Sequence, residues 1–457
     1  MNTAWPWCSP AGGGSGTELS TVNVLIIGGG GREHALAWKC AQSPLAAAVF
    51  AAPGNAGTAA EPGVTNVDIA ANDISALAGF AAANDVGLTI PGPEAALVAG
   101  VVDAFTARGL RCCGPRQNAA RLEGSKAFAK QFMARHNIPS AAWREFTAAE
   151  VDAAIAYVQK RGAPLVVKAD GLAAGKGVVV AATVEQAVDA VRAMLSGRVF
   201  GDAGATVVVE DFVAGEEASF ICIADGETVI PLAASQDHKA RDAGDRGPNT
   251  GGMGAVSPAP VVTDAVAARV METVIRPAVA GLAAEGAPYT GFLYAGLMID
   301  DAGNPQVLEF NCRLGDPETQ PLLMRLQSDL VQLCTAAAGG ELGAAQTKWD
   351  ARAAAGVVLA AGGYPGEVRR GDVIHGLAAA EGDGGAVKIF HAGTKLVNGE
   401  TITAGGRVLC ATALGATLKE AQQRAYTSAA AVQWPGMFYR ADIGRRAIQR
   451  EQTGGQP

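Results

Sequence analysis

The sequence predicts a multidomain chain of α/β and α+β class, and three observations carry that expectation. A strand, a glycine turn and a helix open a βαβ alternation; a glycine- and lysine-rich hairpin joins two apolar strands; and a polar linker precedes a last strand–helix run. The expected order is an N-terminal doubly wound parallel sheet, a core of two α/β subdomains, and a small C-terminal α/β domain. With 457 residues the chain exceeds one ordinary core, and 49% hydrophobic residues with 18% charged ones can fill several.

The apolar run 24–27 meets the glycines 28–31 and a helix that starts at Arg32. An apolar run at 49–51 before Pro53-Gly54, a helix near 73–83 and a strand at 88–90 ending in Pro91-Gly92-Pro93-Glu94 continue the pattern. A helix from about 95 to 107 and a short strand at 110–113 complete it. Ligands of such a sheet sit at the carboxyl ends of its strands. One helix carrying Leu122, Phe128 and Phe132 opens the second unit and breaks at Asn137-Ile138-Pro139. Strands are expected at 165–168, 178–181 and 207–210, then antiparallel strands from 218, a long polar loop over 236–254, a helix, and strands at 294–299 and 306–310. Residues 339–350 read as a linker, followed by strands at 356–361, 387–391 and 407–413 and a helix over 418–432.

These elements set the expected domains. Residues 1–21 form a flexible tail, 22–122 a Rossmann-like substrate domain, 123–345 the core with a mobile lid over about 140–215, 346–450 a C-terminal domain and 451–457 a tail. The first tail lacks the basic leader and long apolar stretch of a signal peptide, and Val22 is a candidate initiator.

A net charge of -8 argues against nucleic acid as partner. No uncharged apolar run approaches a membrane span. The eight cysteines show no C-x-x-C spacing, so free, mostly buried thiols in a reducing cytoplasm are expected. A monomer is expected, with a dimer as the alternative.

Glu33 stands where a dinucleotide fingerprint needs its last glycine, and the second strand ends at Ala51-Ala52-Pro53 without the acid that holds a ribose. An NAD site is therefore not expected, although bare N–H groups at the helix N-terminus together with Arg32 suit an anion. A ligand-free strand-to-helix turn explains the glycines equally well. The segment 168–178 runs from Lys168 through Gly171, Gly175, Lys176 and Gly177 to Val178. It is not a Walker A loop, since three residues separate Gly171 from Gly175 and no Ser or Thr follows Lys176. A hairpin of this kind can fold over a triphosphate, with lysines neutralising it; a plain hairpin would not need those charges. Glu210, Asp211, Phe212 and Val213 close a strand that can offer backbone groups to a purine edge, with Glu217 in reach of a ribose; acidic strand ends are otherwise solvated turns. Strand alternation puts Glu309 and Asn311 on one face, two oxygen ligands that suit Mg²⁺ as well as an exposed edge. Long polar loops hold Asp237, His238, Lys239, Asn249, Thr250 and Gly252, and a third holds Arg313 and Asp316.

Together these segments resemble the ATP-grasp superfamily. Within it, GGGGREHA (28–35), PGNAGT (53–58), Gly92-Pro93-Glu94, EGSK (123–126), the hairpin 168–178, SQDHK (235–239), GPNTGGMG (247–254), 309–319, AAGGYP (360–365) and HAGT (391–394) resemble the phosphoribosylamine–glycine ligase family, from about residue 22 to 450. The resemblance implies that Lys126 and Lys168 contact ATP phosphates under a lid of Gly171, Gly175, Lys176 and Gly177. It implies adenine at Glu210, Asp211, Phe212 and Val213, ribose at Glu217, and Mg²⁺ or Mn²⁺ on Glu309 and Asn311. The strand before these ligands reads Leu297-Met298-Ile299, which offers no further metal carboxylate.

The implied reaction activates glycine's carboxylate as an acyl phosphate and joins it to 5-phosphoribosylamine. Arg313, Lys176 and Asp237 are the expected catalytic residues, Arg313 on the carboxylate or transferred phosphate and Asp237 on the ammonium. Gly30, Gly31, Arg32, Glu33, Asn55, Gly57, Thr58, Glu94, His238, Lys239, Asn249, Thr250, Gly252 and Asp316 complete the expected substrate site, with the sugar phosphate at Gly30–Arg32. A rival reading keeps the fold and changes the acid and the amine; a regulatory nucleotide-binding module is a second.

Overall fold

A computed structural model describes residues 21–172, 177–196, 205–381 and 385–454. Its first sheet is parallel, in the order Val64–Asn66, Ala46–Pro53, Val22–Gly28, Val86–Pro91. The edge strand Val64–Asn66 carries no apolar run and was not foreseen. The expected strand at 110–113 contributes a single bridge, Cys112 to Thr89. Gly100, at φ 88°, splits the expected helix 95–107 into Glu94–Val98 and Val101–Thr106.

The helix expected over Leu122–Phe132 is likewise two, Gln117–Gly124 and Lys126–Arg135. Ser125 between them is extended, and its hydroxyl caps the second helix by accepting the Phe128 N–H at 3.1 Å. Lys126 thus begins a helix rather than riding inside one. The next sheet is antiparallel, ordered Trp143–Thr147, Thr206–Asp211, Leu165–Ala169, Val178–Ala181, and packs its own apolar core on helices Val151–Arg161 and Val184–Leu195. A second antiparallel sheet follows: Val229–Pro231, Glu216–Asp225, Thr290–Ile299, Pro305–Asn311.

The polar stretch 236–254 is not a loop. It holds Gln236–Asp237, a hairpin of Ala240–Asp242 and Arg246–Asn249, and leads into Gly254–Ser257. Gln236–Asp237 and Gly254–Ser257 join the C-terminal sheet beside Ala353–Ala360, Arg407–Gly415 and Val387–His391. The central unit and the C-terminal sheet are therefore sewn together by strands, which positions Asp237 and Lys239 from behind.

Candidate active site

A cavity of about 430 Å³ opens between the two antiparallel sheets. Lys126, Lys168 and Gly177 line it, as do Glu210, Asp211, Phe212 and Val213 from one sheet and Glu217, Glu309 and Asn311 from the other. The Gly171 carbonyl accepts Lys126 Nζ at 3.0 Å. Gly175 and Lys176 lie outside the described residues, so Lys176 is not placed.

Charge is organised around shared carboxylates. Glu210 is 2% exposed, with Lys130 Nζ 2.8 Å from one oxygen and Lys168 Nζ 2.8 Å from the other. The side-chain carboxylate expected at the adenine edge is thus engaged by two lysines. Lys239 Nζ lies 2.6 Å from Glu217 and 3.1 Å from Glu309. That ammonium, backed by Lys168 and Lys126, holds Glu309 down to about 2 against the opposing effect of burial, so the carboxylate is ionised at neutral pH.

A divalent ion fits this place. Glu309 and Asn311 are hard oxygen donors, and the cation already drawn between Glu217 and Glu309 is the protein's own lysine. Among the described residues no group of three His, Cys, Asp or Glu is arranged to hold a metal.

The same cavity is also lined by Arg32, Glu94, Asp237, Lys239, Asn249, Thr250, Arg313 and Asp316. Arg313 Nη2 is 2.8 Å from Glu123 and its Nε is 3.3 Å from Glu94. Burial pushes Glu123 up to about 7, the Arg313 charge opposing. Burial also raises the Asp237 carboxyl, and the charge of Glu318 adds to it.

Other expected substrate residues are not among those that line this cavity, and their contacts are with the protein. The Gly30 N–H donates to Glu33 at 2.6 Å, and Glu33 also accepts from Arg32 Nε at 2.8 Å. The helix N-terminus that was expected to take a sugar phosphate is therefore capped by the protein's own carboxylate. Gly31 lies under Gln320, whose Nε2 would be 2.5 Å from an added Cβ. Asn55 caps the Gly57 and Thr58 N–H groups at 2.8 and 3.0 Å and donates to the carbonyls of Gly29 and His391. Gly57 lets His34 and His391 approach, and the Thr58 hydroxyl donates to Asn66. His238 accepts the Gly444 N–H on Nε2 at 2.9 Å, with Nδ1 3.1 Å from the Gly254 carbonyl. Gly252, at φ 111°, makes room for Pro317 and the Asp237 carboxylate.

The three consecutive parts of one family match the chain: phosphoribosylglycinamide synthetase N domain at residues 22–123, its ATP-grasp (A) domain at 124–319 and its C domain at 354–446. A phosphoribosylamine–glycine ligase of Yersinia pestis is 64% identical over 430 residues, covering 94% of this chain and 100% of that protein. The chain belongs to the phosphoribosylamine–glycine ligase family. A ligase of the same name from Vibrio cholerae is 63% identical over 432 residues, with the same coverage of both chains. The crystal structure of the Thermotoga maritima ligase superposes at a TM-score of 0.78 and 32% identity, over 92% of this chain and 100% of that one. A biotin carboxylase complex from Campylobacter jejuni shares the fold alone, at a TM-score of 0.70 and 16% identity over 92% and 93% of the two chains.

Sequence reasoning about this ligase fold missed Glu123, Lys130, Tyr294, Glu318 and Arg407, all of which line the cavity. Lys130 had a usable signal, since it follows Lys126 by one helical turn. Arg407 had none: it arrives from the C-terminal sheet to donate to the Gly251 carbonyl at 2.6 Å and to stand 3.4 Å from Asp316.

Proposed function

We propose that the protein joins glycine to 5-phosphoribosylamine at the expense of ATP, giving glycinamide ribonucleotide, ADP and phosphate, through glycyl phosphate. The observation that carries this reading is one cavity lined by Lys126, Lys168, Glu309 and Asn311 together with Asp237 and Arg313, in a chain of this family.

A carboxylate reacts poorly with an amine because its leaving group would be oxide or hydroxide. Attack of a glycine carboxylate oxygen on the γ-phosphorus expels ADP and converts that oxygen into part of a phosphate leaving group. The step needs alignment and charge neutralisation, not a protein nucleophile. Lys126 and Lys168, which line the cavity, supply fixed positive charge to the phosphates. Glu309 and Asn311 would hold a divalent ion, Mg²⁺ or Mn²⁺, which would supply positive charge to the triphosphate. Asp237 orients the glycine ammonium; Arg313, held between Glu123 and Glu94, faces the carboxylate or the transferred phosphate. Arg32, which lines the same cavity, is the residue proposed for the sugar phosphate. The amine then attacks the acyl carbon, phosphate departs, and the nitrogen gives up its proton.

The test is a coupled assay with ATP, Mg²⁺, glycine and freshly made phosphoribosylamine, with the product weighed by mass spectrometry. ADP release that requires both substrates and yields the amide is expected. ADP release indifferent to glycine, or another acid supporting it better, refutes the reading.

A further inference from the structure

The cavity wall contains an ionisable side chain that the proposed reaction does not use. Lys130 lies one turn after Lys126 on the helix Lys126–Arg135, so the two share a face. It is 2% exposed, and its Nζ is sealed from solvent. That Nζ is 2.8 Å from Glu210 Oε2, as a close ion pair rather than an aligned hydrogen bond. Glu210 Oε1 is 2.8 Å from Lys168 Nζ, and the same ammonium donates to the Leu308 carbonyl at 2.8 Å, next to Glu309.

Two ammonium groups thus share one carboxylate, leaving a net charge of one positive on the group of three. Without Lys130, Glu210 and Lys168 would form a neutral buried pair, and the carboxylate would be free to turn fully onto Lys168. A like-charged neighbour one carboxylate away is costly to bury, so its presence calls for a reason. We propose that Lys130 is a positioning residue for the nucleotide phosphates: by engaging one oxygen of Glu210 it keeps the Lys168 ammonium only partly neutralised and pointed between Glu210 and the Leu308 carbonyl. The inference rests on the reading of this cavity as the ATP site. Lys130 acts through Glu210 and Lys168, and its own charge does not reach the ligand directly.

The test is calorimetry on the full chain with ATP, ADP and adenosine, alongside steady-state glycine KM. Lys130→Met is expected to weaken ATP and ADP about tenfold, the loss typical of one charge-assisted contact. Adenosine affinity and glycine KM stay within about twofold, because the effect passes through phosphate charge rather than through the shape of the base pocket. In a Glu210→Gln background, where no carboxylate remains to neutralise Lys168, adding Lys130→Met changes ATP affinity by less than about twofold. Equal losses for ATP and adenosine would mean a collapsed pocket and overturn the proposal, as would unchanged ATP affinity. If Lys130→Met does not fold, Lys130→Gln and Lys130→Arg decide together: the neutral variant is expected to lose about tenfold for ATP with adenosine unchanged and the charged one to stay within about threefold of the parent, and an ATP affinity that is the same in both contradicts the idea. A parent protein that binds no ATP at all refutes the ATP site itself, a separate outcome.

Discussion

His238 accepts the Gly444 N–H on Nε2 and, through Nδ1–H, can donate to the Gly254 carbonyl, an arrangement open only to the neutral ring. Burial, with the charge of Arg440 adding to it, holds the ring down to about 4 from its ordinary 6.5. Between these values the unfolded chain binds the proton that the folded one refuses, so stability contributed here is present above 6.5 and is lost as pH falls through about 4. The denaturant midpoint should drop on acidification across that window, and His238→Asn should flatten the drop; an unchanged slope in the variant contradicts the assignment. His238 stands between Asp237 and Lys239, which line the cavity, yet its ring meets the C-terminal segment at the Gly444 N–H.

The strand Pro305–Asn311 and the helix Lys126–Arg135 carry much of the proposed chemistry. Glu309 is ionised at neutral pH, so its replacement removes a real charge from the proposed metal site. Glu309→Gln should lower activity by about 10- to 100-fold and shift the Mg²⁺ titration to higher concentration, the usual scale for damaged metal ligation. Activity unchanged at low Mg²⁺ would place the metal elsewhere. Strands with apolar runs were readable in the sequence, since alternation and flanking glycines are local signals: Val22–Gly28, Leu165–Ala169 and Pro305–Asn311 lie where expected. Breaks at Gly100 and Ser125 were not read, because each interruption is made by a single residue, one backbone angle at Gly100 and one cap at Ser125. The strands within 236–257 were hidden for another reason: Gly254–Ser257 pairs with Ala353–Ala360, roughly a hundred residues away, so no short-range pattern announces it.

At the scale of the whole molecule, the parts are tied by contacts that no segment contains alone. Asn55 of the first domain donates to the His391 carbonyl of the last, His34 accepts the His391 N–H at 2.7 Å, and one apolar core holds Val24, Leu326, Phe390 and Cys410 together. Among the described residues no helix is long and apolar enough to cross a membrane. The arrangement brings Arg32, Arg313 and Arg407 from three parts of the chain to one cavity, where the proposed acyl phosphate would form and be consumed. The decisive measurement is oxygen transfer. Glycine labelled with ¹⁸O in its carboxylate, turned over with ATP and phosphoribosylamine, should deliver one labelled oxygen to inorganic phosphate for each amide made, read by mass spectrometry. Amide formation accompanied by unlabelled phosphate, with the second labelled oxygen lost to water, would show that the carboxylate never bonded to phosphorus, and the account would fail.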